Sequence, residues 1–221
     1  MTGVLALVGG GEWRDGCSFD AELLERSGGR EVVVLPTAAA YEGAEKAVAW
    51  ATRWFEGLGA TVRGLDVLER HDALDEAHAQ VVRDAGFVYL SGGSPLHLRS
   101  VLKESPVWEA LTAAWHGGAV VAGSSAGAMV LCDPMVDPRG GAFTVGLGMV
   151  ENLAIVPHAP AATFAADHRR TLELVAEGLL VAGVDERTAL VREPDGTWRQ
   201  AGAGTTCVWR DGDEVGLDAL P

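Results

Sequence analysis

The chain alternates short apolar runs with longer segments of helical period. Val4 to Val8 is an unbroken apolar run that ends in Gly9-Gly10-Gly11, as expected of a buried strand feeding a tight turn. Glu31 to Leu35, followed by Pro36-Thr37, reads as a second buried strand. From Glu42 to Leu58, Ala47, Val48, Trp50, Ala51, Trp54, Phe55 and Leu58 recur at helical spacing, and Gly59 closes the segment in the position of a C-cap. Val62 to Leu68 is expected as a third strand, Ala73 to Asp84 as an alanine-rich helix, and Gly86 to Leu90 as a fourth strand ending in Ser91-Gly92-Gly93. Leu96 to Leu102 and Val107 to Trp115 are helical by period. Gly118 to Gly123 is a very apolar strand running into Ser124-Ser125-Ala126-Gly127.

Beyond that point, Phe143 to Val156 reads as loop and strand, and Arg169 to Gly178 as a helix. Ala189 to Arg192 and Trp198 to Gln200, joined by Pro194-Asp195-Gly196, predict a hairpin, with Thr205 to Arg210 as a further strand. Apolar strands alternating with helices imply an α/β fold: a mostly parallel sheet with helices on both faces. The tail is expected to add antiparallel strands at an edge. No linker, internal repeat or low-complexity stretch interrupts residues 1–221, so a single domain is expected.

Composition narrows the function classes. Of 221 residues, 48% are hydrophobic, enough for a large core, and the formal net charge is −14. That charge repels a phosphate backbone and argues against a nucleic-acid partner. No apolar run reaches the roughly 18 to 20 residues that span a bilayer. No basic region precedes the first apolar stretch, so that stretch reads as a strand and not a signal peptide, and a soluble, cytoplasmic protein is expected. The three cysteines, Cys17, Cys132 and Cys207, are far apart and odd in number, which fits buried free thiols and no disulfide framework.

The candidate chemistry sits in Gly123-Ser124-Ser125-Ala126-Gly127. A serine hydroxyl needs exposure, a nearby base and a place for the oxyanion. A sharp strand-to-helix corner with small neighbours supplies the exposure. Ser125, unlike Ser124, has glycine two positions away on both sides, and is the candidate nucleophile. The amide of Ala126 would donate to an oxyanion, and the Gly92-Gly93 loop is the expected source of a second donor.

Of the six histidines, His158 follows the apolar run Leu153 to Val156 and Pro157, and so lies at a strand end, where catalytic groups collect in open parallel sheets. It is preferred as the base over His168. The orienting acid is open between Asp133 and Asp137, both in the loop between serine and histidine. No histidine forms a helical pair with a carboxylate of the zinc-ligand type, so no metal is expected, and acyl transfer by this route requires no cofactor.

With these parts assembled, the chain resembles the serine peptidase family of dipeptidase E and cyanophycinase, whose fold is like that of class I glutamine amidotransferases. The resemblance runs through Leu7-Val8-Gly9-Gly10-Gly11-Glu12, Leu35-Pro36-Thr37-Ala38, Tyr89-Leu90-Ser91-Gly92-Gly93 and Ser124-Ser125-Ala126-Gly127-Ala128. It continues through Gly146-Leu147-Gly148, Val156-Pro157-His158, Arg169-Arg170 and Gly183 to Leu190. It implies Ser125 as nucleophile, His158 as base, and Gly93 and Ala126 as the oxyanion hole. Asp137, nearer the histidine in sequence than Asp133, is the implied acid, and Asp185-Glu186 matches a motif read as structural. The chain departs from cyanophycinase-like members in having Gly92-Gly93-Ser94-Pro95 for Gly-Gly-Asp-Gln, and Pro157-His158-Ala159 for Gln-His-Phe. Cyanophycin is therefore not the expected substrate. Dipeptidase E cleaves after an N-terminal aspartate, which calls for a cation, and Arg139, Arg169 and Arg170 are the candidates.

The expected function is a serine peptidase or dipeptidase acting on a small peptide or amide. The alternative is a non-catalytic or regulatory binding protein on the same fold. Nucleotide binding at Gly9-Gly10-Gly11 is disfavoured, because Arg14 stands where the third glycine of the dinucleotide pattern belongs. Trp13 and Trp108 are candidates for the interface of a possible homo-oligomer.

Overall fold

The computed structural model describes residues 2–221. In β1 (Leu5–Val8), Leu5 and Leu7 belong to one hydrophobic core, while Ala6 and Val8 belong to a second. Successive side chains of a strand point to opposite faces, so a strand apolar at every position lies between two covering layers. The chain supplies those layers in alternation. In order come α1 (Phe19–Arg26), β2 (Glu31–Leu35), α2 (Ala44–Gly57), β3 (Thr61–Gly64), α3 (Arg70–Ala73), α4 (Glu76–Arg83) and β4 (Phe87–Leu90). Then follow α5 (Pro95–Leu102), α6 (Pro106–His116), β5 (Val120–Ser124) and α7 (Ala126–Leu131). The C-terminal part comprises β6 (Cys132–Asp133), β7 (Met135–Val136), β8 (Phe143–Thr144), β9 (Val150–Glu151), β10 (Leu153–Pro157), α8 (Phe164–Asp167) and α9 (Arg169–Glu173). It ends with β11 (Leu180–Val184), β12 (Thr188–Arg192), β13 (Trp198–Gly202), β14 (Thr206–Arg210) and β15 (Asp213–Val215).

The main sheet is seven-stranded, in the order β13-β12-β1-β5-β4-β2-β3. Neighbours from β1 to β3 run parallel, whereas β12 and β13 are antiparallel. Phe19 and Leu23 of α1 and Ala47, Ala51 and Phe55 of α2 cover one face. Val82, Leu98, Leu111 and Leu131, from α4 to α7, cover the other. The expected mostly parallel sheet with an antiparallel C-terminal edge is observed.

Several boundaries differ from the sequence expectation. The Thr205 to Arg210 segment does not join the edge of the main sheet. As β14 it pairs with β11 in a second, four-stranded sheet, β10-β11-β14-β15, whose Leu153, Ile155, Val181 and Val208 share the core under α4 to α7. The helix expected from Ala73 to Asp84 is broken at Asp75, whose carboxylate accepts the Ala77 N–H at 2.8 Å and so starts α4 afresh. The third strand stops at Gly64, and the chain then turns to bury Leu65 and Val67. The helix expected from Arg169 to Gly178 ends at Glu173, and only Thr171 on it is buried. Helices α5 and α6 begin one residue earlier than their period suggests. Ser94 and Ser105 cap them, accepting the His97 and Trp108 N–H groups at 3.3 and 3.1 Å, and Pro95 and Pro106 fill first-turn positions that need no donor.

Strands β1, β4 and β5 share one direction, as do the paired β10 and β11. The segments that follow them are Gly9–Gly11, Gly92–Gly93, Ser125, His158 and Glu186. Among the described residues no helix is long and apolar enough to cross a membrane. All three cysteines are free and buried.

Candidate active site

Strand β5 ends at Ser124 and α7 begins at Ala126, so the corner between them is Ser125 alone. Its backbone sits at φ 48°, ψ −106°, a region that costs a residue with a side chain about 1–3 kcal/mol. Two hydrogen bonds hold it there. The Ser125 N–H donates to Val8 O at 2.9 Å, and its carbonyl accepts the Met129 N–H at 3.0 Å. A Cβ added to Gly123 would come within 2.6 Å of the Gly127 carbonyl carbon. The strand and helix therefore fold back on each other only with glycine at this spacing. The two serines diverge at the corner: Ser124 Oγ donates to Glu12 Oε2 at 2.8 Å, while Ser125 Oγ lies 3.0 Å from His158 Nε2.

His158 follows the last residue of β10 and also has positive φ, at 55°. Its N–H donates to Gly9 O at 2.8 Å. Gly10, at φ 119°, lies directly against the imidazole, and a Cβ there would collide with the ring. The Gly9-Gly10-Gly11 run is thus the seat of the histidine.

The other ring nitrogen, Nδ1, lies 3.0 Å from Glu186 Oε1. Glu186 stands in the turn between β11 and β12. Its N–H donates to Asp185 Oδ1 at 2.7 Å, its carbonyl accepts the Thr188 hydroxyl at 3.0 Å, and the next amide, Arg187 N–H, donates to Gly10 O at 2.7 Å. A neutral imidazole that donates from Nδ1 to this carboxylate presents Nε2 as the acceptor for the Ser125 hydroxyl.

This geometry corrects the expectation for the acid. Neither Asp137 nor Asp133 reaches His158. The Asp137 carboxylate accepts from Arg139 Nε and Nη2, and these charge-assisted hydrogen bonds draw its pKa down to about 2. Asp133 Oδ1 accepts the Gly146 N–H at 2.8 Å. Glu186, read from the sequence as structural, is the carboxylate that lies against the imidazole instead. Strand β11 lies parallel beside β10, with Val184 opposite Pro157, so the residues just past the two strand ends meet. The rule that selected His158, a polar residue beyond an apolar strand, points to the Asp185-Glu186 pair without choosing between its two carboxylates.

The expected oxyanion donors lie at the same corner. Ala126 opens α7, so its N–H has no intrahelical acceptor. In the facing loop, Gly92 N–H donates to Glu12 Oε1 at 3.1 Å and Ser94 N–H to Ala38 O at 2.8 Å. The amide between them, that of Gly93, is bound to neither. Glu12 is a residue the sequence reading passed over. One of its carboxylate oxygens holds the Gly92 amide and the other the Ser124 hydroxyl, so it ties together the loop and the elbow on either side of Ser125. Its signal was its place directly after the glycine run. Among the described residues, no group of three or more His, Cys, Asp or Glu side chains could hold a metal ion.

The model of peptidase family S51 matches residues 5–198. The chain belongs to peptidase family S51. Cyanophycinases from Synechococcus elongatus and Trichormus variabilis are each 30% identical to it, over 167 and 166 residues, covering 70% and 71% of this chain. The chain spans about half the length of these relatives, 51% and 56%. The crystal structure of a peptidase from an acI-B1 Actinobacterium superposes with a TM-score of 0.84 at 30% identity, covering 97% of this chain and 93% of that one. A Listeria monocytogenes EGD-e structure named for peptidase E has a TM-score of 0.66 at 17% identity over 95% and 99% of the two chains, and so shares the fold.

Two cavities of this S51 chain open at the Ser125–His158 pair, and both include Gly93. One, of about 340 Å³, is lined by Glu12, Trp13, Glu42, Lys46 and Trp50 among others. The other, of about 360 Å³, reaches back to Met129, Val136 and Val156. Neither is lined by the arginines expected to bind substrate. Arg139 is held by Asp137, Arg169 Nε lies 3.4 Å from Glu173 Oε1, and Arg170 is exposed on α9. The cation that lines the first cavity together with Ser125 is Lys46, which forms no ion pair among the described residues. Trp13 is buried against Tyr89, with ring centroids 5.2 Å apart, so it serves the core and the first cavity more than a free surface.

Proposed function

We propose that this chain is a serine peptidase that cleaves small peptides through an acyl-enzyme on Ser125. The observation that carries the reading is the continuous line from Ser125 Oγ to His158 Nε2 and from His158 Nδ1 to Glu186 Oε1, each step 3.0 Å. His158 takes the hydroxyl proton as Ser125 Oγ attacks the peptide carbonyl. Glu186 holds the ring and stabilises the imidazolium without itself becoming protonated. The amides of Gly93 and Ala126 donate to the carbonyl oxygen as it gains charge. His158 then gives its proton to the leaving amine, and the C–N bond breaks. Water, deprotonated by the same nitrogen, releases the acid and regenerates the serine.

Membership of family S51, and the names of the cyanophycinase and peptidase relatives, support the reading. For a substrate with an acidic N-terminal residue, Lys46 is the cation available in the first cavity. The free, buried cysteines accord with a reducing, cytoplasmic setting. The experiment is to measure hydrolysis of a dipeptide panel and labelling by a fluorophosphonate in the native chain and in Ser125→Ala. Turnover and labelling by the native chain, both abolished in the variant, are expected. Labelling that persists in Ser125→Ala, or a native chain that neither cleaves nor labels, rejects the assignment in favour of a binding protein on this fold.

A further inference from the structure

The two cavities beside Ser125 differ in chemistry. The first presents the charged groups of Glu12, Glu42 and Lys46. The second is walled by Pro95, Met129, Val136, Pro138, Val156 and Pro157. Three of these, Met129, Val136 and Val156, are nearly inaccessible and belong to the hydrophobic core, so the cavity's floor is the core itself.

The second cavity is lined by one carboxylate, Asp137, which is paired, and by the uncharged Thr171 hydroxyl and Gly93 amide. Both oxygens of Asp137 are taken by the Arg139 guanidinium, while its carbonyl accepts the Gly141 N–H at 2.9 Å. The one carboxylate of the wall is therefore already paired, with a guanidinium that lies outside the cavity. His168 stacks on Phe164 with ring centroids 5.0 Å apart, and burial lowers its pKa, which disfavours the charged ring. Thr171 is 4% exposed. His158 is engaged by Ser125 and Glu186.

We infer that this second cavity is a side-chain subsite for an apolar, uncharged residue of the substrate, on one side of the bond that Ser125 attacks. The inference rests on the reading of Ser125 as a peptidase nucleophile. A guanidinium or carboxylate entering here would leave water without gaining a counter-charge, which is costly. A leucine or phenylalanine side chain would instead exchange water for apolar walls. Size permits it. A cavity of roughly 150 Å³ accommodates benzene, and this one, at about 360 Å³, exceeds that. A peptide lying across Ser125 would thus put an apolar residue in one cavity and a polar or charged one in the other.

The test is a set of peptides with one scissile bond, in which Leu, Phe, Ala, Asp or Arg occupies first one side of that bond and then the other. Labelling of Ser125 by a plain alkyl fluorophosphonate is measured in parallel. At one of the two positions, kcat/KM for Leu and Phe is expected to exceed that for Asp and Arg by about tenfold or more, the scale on which apolar pockets discriminate. In Val136→Glu, that preference should collapse and Arg should gain relative to Leu. Asp or Arg equal to or better than Leu and Phe at both positions, with Ser125 still labelled, overturns the subsite while leaving the peptidase reading intact. Labelling without cleavage of any peptide also overturns it. Absence of both labelling and cleavage removes the peptidase reading and the subsite with it. If Val136→Glu does not fold, the native chain's preferences decide alone.

Discussion

Glu186 Oε1 lies 3.0 Å from His158 Nδ1, although the two residues come from different strand ends, β11 and β10. The carboxylate nearer in sequence, Asp137, is held by Arg139 instead. The acid of the proposed triad is therefore set by which strands are neighbours.

Replacing Glu186 by Gln is expected to lower kcat by roughly 10²-fold or more, because the amide no longer fixes the tautomer that leaves Nε2 free. Asp133→Asn keeps an oxygen that can accept the Gly146 N–H, so kcat should stay within about threefold, the 2.8 Å contact being structural. Steady-state kinetics of the two variants on one peptide separates them. Equal losses would return the acid to the loop between serine and histidine.

Gly10→Ala places a methyl group against the His158 imidazole, at a backbone φ of 119° that suits glycine. The ring must move, and a displacement near 1 Å can cost about 10²-fold in rate. A fall in kcat/KM, together with a lower urea midpoint, is expected. Normal activity would mean that the histidine does not rely on the glycine run.

Glu12→Ala frees both the Gly92 amide and the Ser124 hydroxyl. Losing an oxyanion donor outright costs roughly 10²–10³ in kcat. Loosening the loop beside one should cost less, about tenfold, with KM little changed. Glu12→Gln should recover most of the loss, since its amide can accept from Gly92 and donate to Ser124. A loss carried wholly by KM, or no rescue by Gln, would contradict this positioning role.

Asp20 is fully buried. Its Oδ2 accepts the Trp54 Nε1–H at 2.9 Å, and its Oδ1 has no partner among the described residues. Burial pushes its pKa well above the ordinary carboxylate value. The sign follows from proton uptake. Between the unfolded value near 3.8 and the raised folded value, the folded state binds the proton and the unfolded state does not. Stability from this group is thus fully present below pH 3.8 and declines as pH rises through the window. Asp20→Asn should raise the melting temperature at pH 8, by about 2–4 °C for each kcal/mol recovered, and should reduce the loss of stability between pH 5 and 8. A variant that melts lower at pH 8, with the pH dependence unchanged, would show that the ionised carboxylate is accommodated.

Much of the architecture was legible because local periodicity encodes it. The strands at Leu5, Val32, Phe87 and Val120 are apolar on both faces, and such strands require covering layers wherever they lie. Ser125 was legible for a related reason: glycine on both sides at that spacing is what the collision between strand and helix demands. His158 was found as a polar residue past an apolar strand. The break at Asp75 and the short α9 were not foreseen. Alanine-rich and charged segments keep a helical period whether or not a side chain intercepts the backbone.

From sequence alone came the mostly parallel α/β sheet and the candidates Ser125 and His158. Each follows from interactions within a few residues along the chain or from the alternation of faces. Tertiary structure alone decided that Glu186 and not Asp137 meets the imidazole, that Glu12 joins the loop to the elbow, and that β14 leaves the main sheet for β11. It also put Lys46, and none of the three candidate arginines, in the lining of the first cavity. These are contacts between residues far apart in the chain, fixed by strand order and register. A carboxylate or a cation carries the same charge wherever it falls in the sequence, and only the packing of the strands determines which partner it reaches.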